Sequence, residues 1–160
     1  FFKIPEPLIK KEFSRIMSLK DGLKKMSKSE ISDLSRINLT DDKDTIANKI
    51  KKAKTDALPL PSIIDELEKR PEVKNLIGIF SSLAGLTLEN SLNEFSGKNF
   101  SLFKENLSQL LIEKIIPISF EIKKLLNDHN YLDSILIDGY KKADKIASKK
   151  VEKIHEIIGF

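Results

Sequence analysis

Lys25-Met26-Ser27-Lys28-Ser29 gathers two ammonium groups and two hydroxyls into five residues, just after the turn-forming pair Asp21-Gly22. Such a run suits oxyanions. The backbone N–H groups and hydroxyls of a short polar loop can surround phosphate oxygens. Lysines add compact, hydrated charges on flexible stems, able to follow a phosphate chain as it rearranges. Methionine is rare here, 2 of 160 residues, and between the two lysines it is the apolar residue expected to pack inward and anchor the loop. The simpler reading of these five residues is a solvated Lys/Ser loop with no ligand.

The elements that must position the loop are legible from periodicity. Residues 1–14 read as an extended lead-in punctuated by Pro5 and Pro7. Phe13 to Leu19 mixes apolar and polar residues as a short strand would, delivering the loop, and residues 20–40 form the loop and its exit. Thr40-Asp41-Asp42 marks a helix start, followed by Ile46, Ile50 and Ala53 at helical spacing; this helix ends before Ala57-Leu58-Pro59-Leu60-Pro61. A short helix runs from Ser62 to Lys69. Another follows from Glu72 to Ala84 with Leu76, Ile77, Phe80 and Leu83, stopped by Gly85. Thr87 caps the next, which ends near Gly97. Ser101 opens a long helix with Phe103, Leu107, Leu110, Leu111, Ile115, Ile118, Ile122 and Leu125 on one stripe and an expected kink at Pro117. Asp128 or Asn130 caps the last helix, whose stripe comprises Leu132, Ile135, Leu136, Ala143, Ile146, Ala147, Val151, Ile154 and Ile158. Gly139 lies on that stripe and is expected to admit close approach of a neighbouring helix. The expected class is mainly α: a short strand remnant with the loop, then a bundle of about six helices.

Composition bounds the function. Hydrophobic residues make up 40% and charged residues 32% of the chain, the balance of a globular protein with a sizeable core. No apolar run approaches the roughly 20 residues that span a bilayer. There is no cysteine, which excludes disulfides and thiolate metal sites. His129 and His155 have no ligand-spaced partners and read as ordinary histidines, so no metal site is expected. A net charge of +4 permits nucleic-acid contact without requiring it. Lys142, Lys145, Lys149 and Lys153 recur at spacings of three, four and four on the last helix, opposite its apolar stripe. This face suits a phosphate backbone, or it is simply a solvated lysine face. Glu113 and Lys114 read as a solvated pair in mid-helix.

The loop and its flanks carry a resemblance. Lys25-Met26-Ser27-Lys28-Ser29 resembles the second ATP-binding motif of class I aminoacyl-tRNA synthetases. The lead-in Arg15-Ile16-Met17-Ser18-Leu19-Lys20-Asp21-Gly22, the exit Ser32-Asp33-Leu34-Ser35-Arg36-Ile37-Asn38-Leu39-Thr40-Asp41-Asp42 and the run Asp44-Thr45-Ile46-Ala47 resemble the tryptophanyl-tRNA synthetase family, of bacterial or organellar type. Asn75-Leu76-Ile77-Gly78-Ile79, Leu83-Ala84-Gly85, Phe103-Lys104 and Glu113-Lys114-Ile115-Ile116-Pro117-Ile118 fit the C-terminal part of the same family. Glu30-Ile31 departs from the Asp-Pro often found after the loop.

The resemblance implies that Lys25 and Lys28 hold the leaving pyrophosphate and that Ser27 and Ser29 donate to phosphate, with Met26 anchoring and Ile16 packing near adenine or serving as plain core. The loop would close on ATP and open for product. The implied cofactors are ATP and Mg2+ bound through its phosphates. The implied partners are tryptophan, at a site upstream, and tRNA(Trp), with no membrane and a homodimeric parent. Residues 1–40 would close the nucleotide-binding fold, and residues 41–160 would form a helical, anticodon-binding domain reached by Lys142, Lys145, Lys149 and Lys153. No His-Ile-Gly-His-like motif occurs, and the chain does not begin with methionine. It is therefore expected to be a C-terminal fragment, inactive alone, of a cytoplasmic enzyme (or one of an organelle matrix). The sister tyrosine enzyme and a non-catalytic helical RNA-binding module remain alternatives.

Overall fold

The computed structural model describes residues 3–8 and 14–159. Six α-helices follow the loop region: α1 Lys43–Lys51, α2 Ile64–Leu67, α3 Pro71–Ala84, α4 Leu88–Phe95, α5 Phe100–Leu126 and α6 His129–Ile158. These match the six helices expected from periodicity, although α2 is a single turn. Their ends are set by local chemistry. Asp42, Thr87 and Asp128 accept hydrogen bonds from the backbone N–H groups of Thr45, Asn90 and Tyr131, capping α1, α4 and α6. Pro71 occupies the first turn of α3, where its missing N–H costs nothing, and Gly85 ends that helix with φ 69°.

The expected strand is reduced to one antiparallel bridge between Met17 and Lys25, and no longer strand occurs among the described residues. Phe13, the proposed start of that strand, lies outside them. The physical reason is on the edge of the ribbon. Ser18 N donates to Lys24 O at 2.8 Å and Met26 N to Ile16 O at 3.0 Å, which joins the two arms of a tight hairpin. The outer edge meets a side chain and not another strand: Asn75 of α3 accepts from Met17 N at 2.9 Å and donates to Met17 O at 2.8 Å. One amide thereby supplies both bonds that a neighbouring strand would have given.

The described residues up to Ser119 form one compact unit and those from Phe120 another. The core of the first unit is drawn from the hairpin and α1 to α5, including Leu19, Ile46, Ile50, Leu67, Leu76, Ile77, Leu92, Phe95, Phe103 and Leu107, each no more than 2% exposed. Burying a side chain of this size stabilises by about 1.5–3 kcal/mol. Phe80, Phe95 and Phe103 close the centre, with ring centroids 5.0, 5.9 and 5.0 Å apart and the two closer pairs edge-to-face.

The stripe on α5 is buried at Phe103, Leu107, Leu111 and Ile115 and ends at Ser119. Pro117 lies inside this helix without terminating it. Glu113 and Lys114 pair at 3.2 Å on its exposed side, as expected of a solvated pair. In the second unit, α6 contributes no buried residue. Its apolar stripe stays open: Ile135 is 53%, Leu136 69% and Ile146 71% exposed. The expected close approach at Gly139 is not seen, because a methyl group built there would meet nothing within 4 Å. Among the described residues no helix is long and apolar enough to cross a membrane.

Candidate functional site

Three connections fix the loop's entry. The hairpin bonds place Lys25 opposite Met17. Asn75 fixes Met17 to α3. Gly22, at the hairpin tip, lies against the start of α3: a Cβ there would stand 2.5 Å from both the Pro71 carbonyl carbon and the Glu72 nitrogen. Glycine is demanded at this turn by close approach, not by a positive φ.

Beside the tip, Lys54 Nζ lies 2.7 Å from Glu72 Oε1. The hydrogen bond from Lys54 holds the Glu72 carboxyl below the usual carboxylate range, and the same bond raises the Lys54 ammonium above its ordinary value.

Within the loop, Met26 is half-buried and packs on the core, the anchoring expected of it. Lys25, Lys28 and Ser29 are exposed. Ser27 Oγ and Ser29 Oγ are 2.9 Å apart, and Ser29 N donates to Ser27 Oγ at 3.3 Å, a local serine turn that rounds the loop.

The exit is fixed by charge. Asp33 accepts from Lys49 Nζ at 2.6 Å, Arg36 Nη2 at 2.9 Å and Asn38 Nδ2 at 3.0 Å. The hydrogen bond from Lys49, followed by that from Asn38, holds the Asp33 carboxyl below its ordinary range. Leu19 N donates to Ser35 O at 2.9 Å and so joins the exit to the entry.

Entry, loop and exit border one groove of about 620 Å3, lined by residues 14–16, 25–28 and 36–40. It is large enough for a small ligand of nucleotide size. Ile16, Lys25, Met26, Ser27 and Lys28 all line it; Ser29 does not. Arg15 and Arg36 add two further cations, and none of the lining residues is acidic. The groove is therefore electropositive, although Arg36 is already paired with Asp33, and it carries an apolar patch at Ile16 and Ile37.

Sequence reasoning missed Arg15, Arg36, Asn75 and Lys49. Only Lys49 left a readable signal: it follows Ile46 by three and precedes Ile50 by one, which places a charge on the inward side of α1. On α6, Lys145, Lys149 and Lys153 share a second groove of about 390 Å3 with Ile146 and Lys150. Lys142 is drawn into a pair with Asp138 at 2.7 Å.

The chain is similar to known proteins along its whole length. Residues 1–116 match the model of the tRNA synthetases class I (W and Y). A tryptophan–tRNA ligase of Mesorhizobium japonicum is 50% identical over 159 residues, covering 99% of this chain and 45% of the relative. One of Rickettsia felis is 49% identical over 158 residues, covering 99% and 47%. The crystal structure of tryptophanyl-tRNA synthetase from Mycoplasma pneumoniae superposes with a TM-score of 0.75 at 25% identity, covering 94% of this chain and 45% of that one. The chain thus spans about half the length of the curated relatives it matches. With a family model matching most of its length and a loop, groove and helical part in the expected order, the chain belongs to the class I tRNA synthetases of the W and Y group.

Proposed function

We propose that the chain is the C-terminal part of a tryptophan–tRNA ligase, which activates tryptophan with ATP to the adenylate and transfers it to tRNA(Trp). The observation that carries this reading is the acid-free groove of about 620 Å3 in which Lys25 and Lys28 flank Met26 and face the same space as Ile16. Residues 1–40 close the nucleotide-binding fold, and residues 41–160 form the helical domain.

In this reading Ile16 packs against adenine. Lys25 and Lys28 neutralise charge that grows on the pyrophosphate as it leaves, each charge-assisted contact contributing about 1.5–3 kcal/mol. Ser27 donates a hydroxyl or backbone hydrogen bond to phosphate oxygens, and Ser29, which lies outside the groove lining, does so only once the loop closes. Mg2+ supplies further neutralisation. Bound through the phosphates of ATP, it would need no carboxylate from the groove lining, which among the described residues includes none. The tryptophan pocket belongs to the part of the enzyme that precedes these residues, and the 160 residues alone are expected to be inactive. Lys145, Lys149 and Lys153, with Lys142, lie along tRNA phosphates. The parent is a homodimer of the cytoplasm.

The test is amino-acid-dependent ATP–pyrophosphate exchange by the full-length protein, with tryptophan and tyrosine side by side. Exchange with tryptophan alone is expected. Exchange with tyrosine alone corrects the substrate, and exchange with neither overturns the reading in favour of a helical RNA-binding module.

A further inference from the structure

Lys49 is 1% exposed, and the proposed reaction does not use it. Its ammonium lies between two carboxylates, 2.6 Å from Asp33 Oδ2 and 2.7 Å from Asp41 Oδ2. Taking an ammonium and its partners out of water is costly, and well-packed apolar residues in the same place are often at least as stabilising. Stability alone is thus a poor account of this lysine. The contacts that lead away from it are more informative.

Asp33 passes the anchor to Arg36 Nη2 at 2.9 Å. Arg36 Nη1 then donates at 2.9 Å to the carbonyl of Glu30, the residue directly after Ser29. On the other branch, Asp41 accepts from the Asn38 backbone at 2.9 Å and from its side chain at 3.2 Å. Arg36 and Asn38 both line the groove that Lys25 and Lys28 border. The route from α1 to the loop's exit therefore consists of three polar contacts: Lys49 to Asp33, Asp33 to Arg36, and Arg36 to Glu30.

We infer that Lys49 is a positioning residue for the phosphate-binding loop: through Asp33 and Arg36 it fixes the loop's exit at Glu30, so that Lys25 and Lys28 meet the phosphates in one register. This inference rests on the nucleotide reading above. It makes the loop a segment hinged between two fixed ends, with Asn75 holding the entry through Met17 and Lys49 holding the exit. A small displacement of either end moves both loop lysines relative to the phosphates, and misplacements of this kind cost rate without removing any contacting group.

The experiment uses the full-length protein and three variants. Arg36→Ala cuts the link to Glu30 and leaves Lys49 with both carboxylates; because it also removes a cation of the groove lining, its ATP kinetics count only together with the cleavage readout and with a second variant that keeps Arg36. Lys49→Met combined with Asp41→Asn removes the buried cation and one of its anions together, so that no like charges are left facing each other. Lys25→Ala is the reference for loss of a phosphate contact. Exchange is measured against ATP and tryptophan separately, with trypsin cleavage after Lys25 and Lys28 as a readout independent of activity.

Arg36→Ala is expected to lower kcat/KM for ATP about tenfold with KM for tryptophan unchanged, and to speed cleavage at both lysines. The double variant, where it folds, is expected to do the same. Unchanged ATP kinetics and cleavage in Arg36→Ala overturn the inference, as does an equal rise in KM for both substrates. The nucleotide reading is judged separately, by exchange in the unaltered protein and its loss in Lys25→Ala.

Discussion

Around the loop, cations are placed by other polar groups. Lys25 sits opposite Met17, which Asn75 grips from α3, and Arg36 is held by Asp33, which Lys49 holds from α1. On α6, by contrast, Lys145, Lys149 and Lys153 are placed by helical spacing alone, on an element with no buried residue. The first arrangement fixes the backbone at both ends of the loop and the Arg36 guanidinium, the preorganisation that a reaction with developing charge rewards. The second presents a row of positive charge with freedom at each side chain. That suits a polyanion bound through many weak contacts. The difference predicts that single changes near the loop are severe and specific, whereas changes on α6 are graded.

The largest effect belongs to the loop lysines. In the full-length protein, Lys25→Ala and Lys28→Ala are each expected to lower ATP–pyrophosphate exchange by about 10–10²-fold, the cost of one charge-assisted contact at a reacting centre. The double variant should fall less than the product of the two, because in the proposed reaction both lysines act on the same pyrophosphate. Full additivity would break the comparison by making the loop resemble α6.

Two glycines sharpen it next. Gly22→Ala drives a methyl group to 2.5 Å from backbone atoms of Pro71 and Glu72, where nothing can rotate away. It should destabilise by about 1–3 kcal/mol. Gly139→Ala puts the same methyl group into open space on a helix. There the gain in helix propensity should stabilise by about 0.5–1 kcal/mol. Urea unfolding followed by circular dichroism reads both, and a neutral Gly22→Ala would show that the loop's entry is not fixed against α3.

Much of this was legible in the sequence, and the reasons for success and failure are physical. The six helices could be read because caps and apolar spacing are local: Asp42, Thr87, Asp128 and Gly85 do in the structure what their positions imply. The loop's composition likewise announced a cluster of exposed cations, and Lys25 and Lys28 do line one groove with Ile16. What could not be read depends on pairs distant in the chain. Asn75 meets Met17 across 58 residues, and no pattern within either segment marks the contact. The strand was overestimated for the same reason, since an alternating run does not reveal that an amide from a helix will complete its edge. Gly139 was misjudged in the other direction: its place on an apolar stripe implied a neighbour, but that stripe is open. Periodicity identifies the face that is apolar and says nothing about what covers it.

The smallest effects are expected on α6. Lys149→Ala together with Lys153→Ala removes two adjacent cations of one groove. If these contact tRNA phosphates, the slope of log affinity against log salt should fall by about 1.4–1.8, the counterion release of two contacts. Filter binding of tRNA(Trp) over a salt series measures it. Lys142 makes the finer distinction. Its ammonium is 2.7 Å from Asp138, so part of its charge is already answered within the helix, although the pair is exposed and weak. Lys142→Ala should therefore change the slope by less than Lys149→Ala does. Equal slopes for the two single variants would show that the phosphate row extends through Lys142 and displaces Asp138. No change in slope for any of them would leave α6 a solvated lysine face, and the loop would then be the only part of these residues where charge is organised for a ligand.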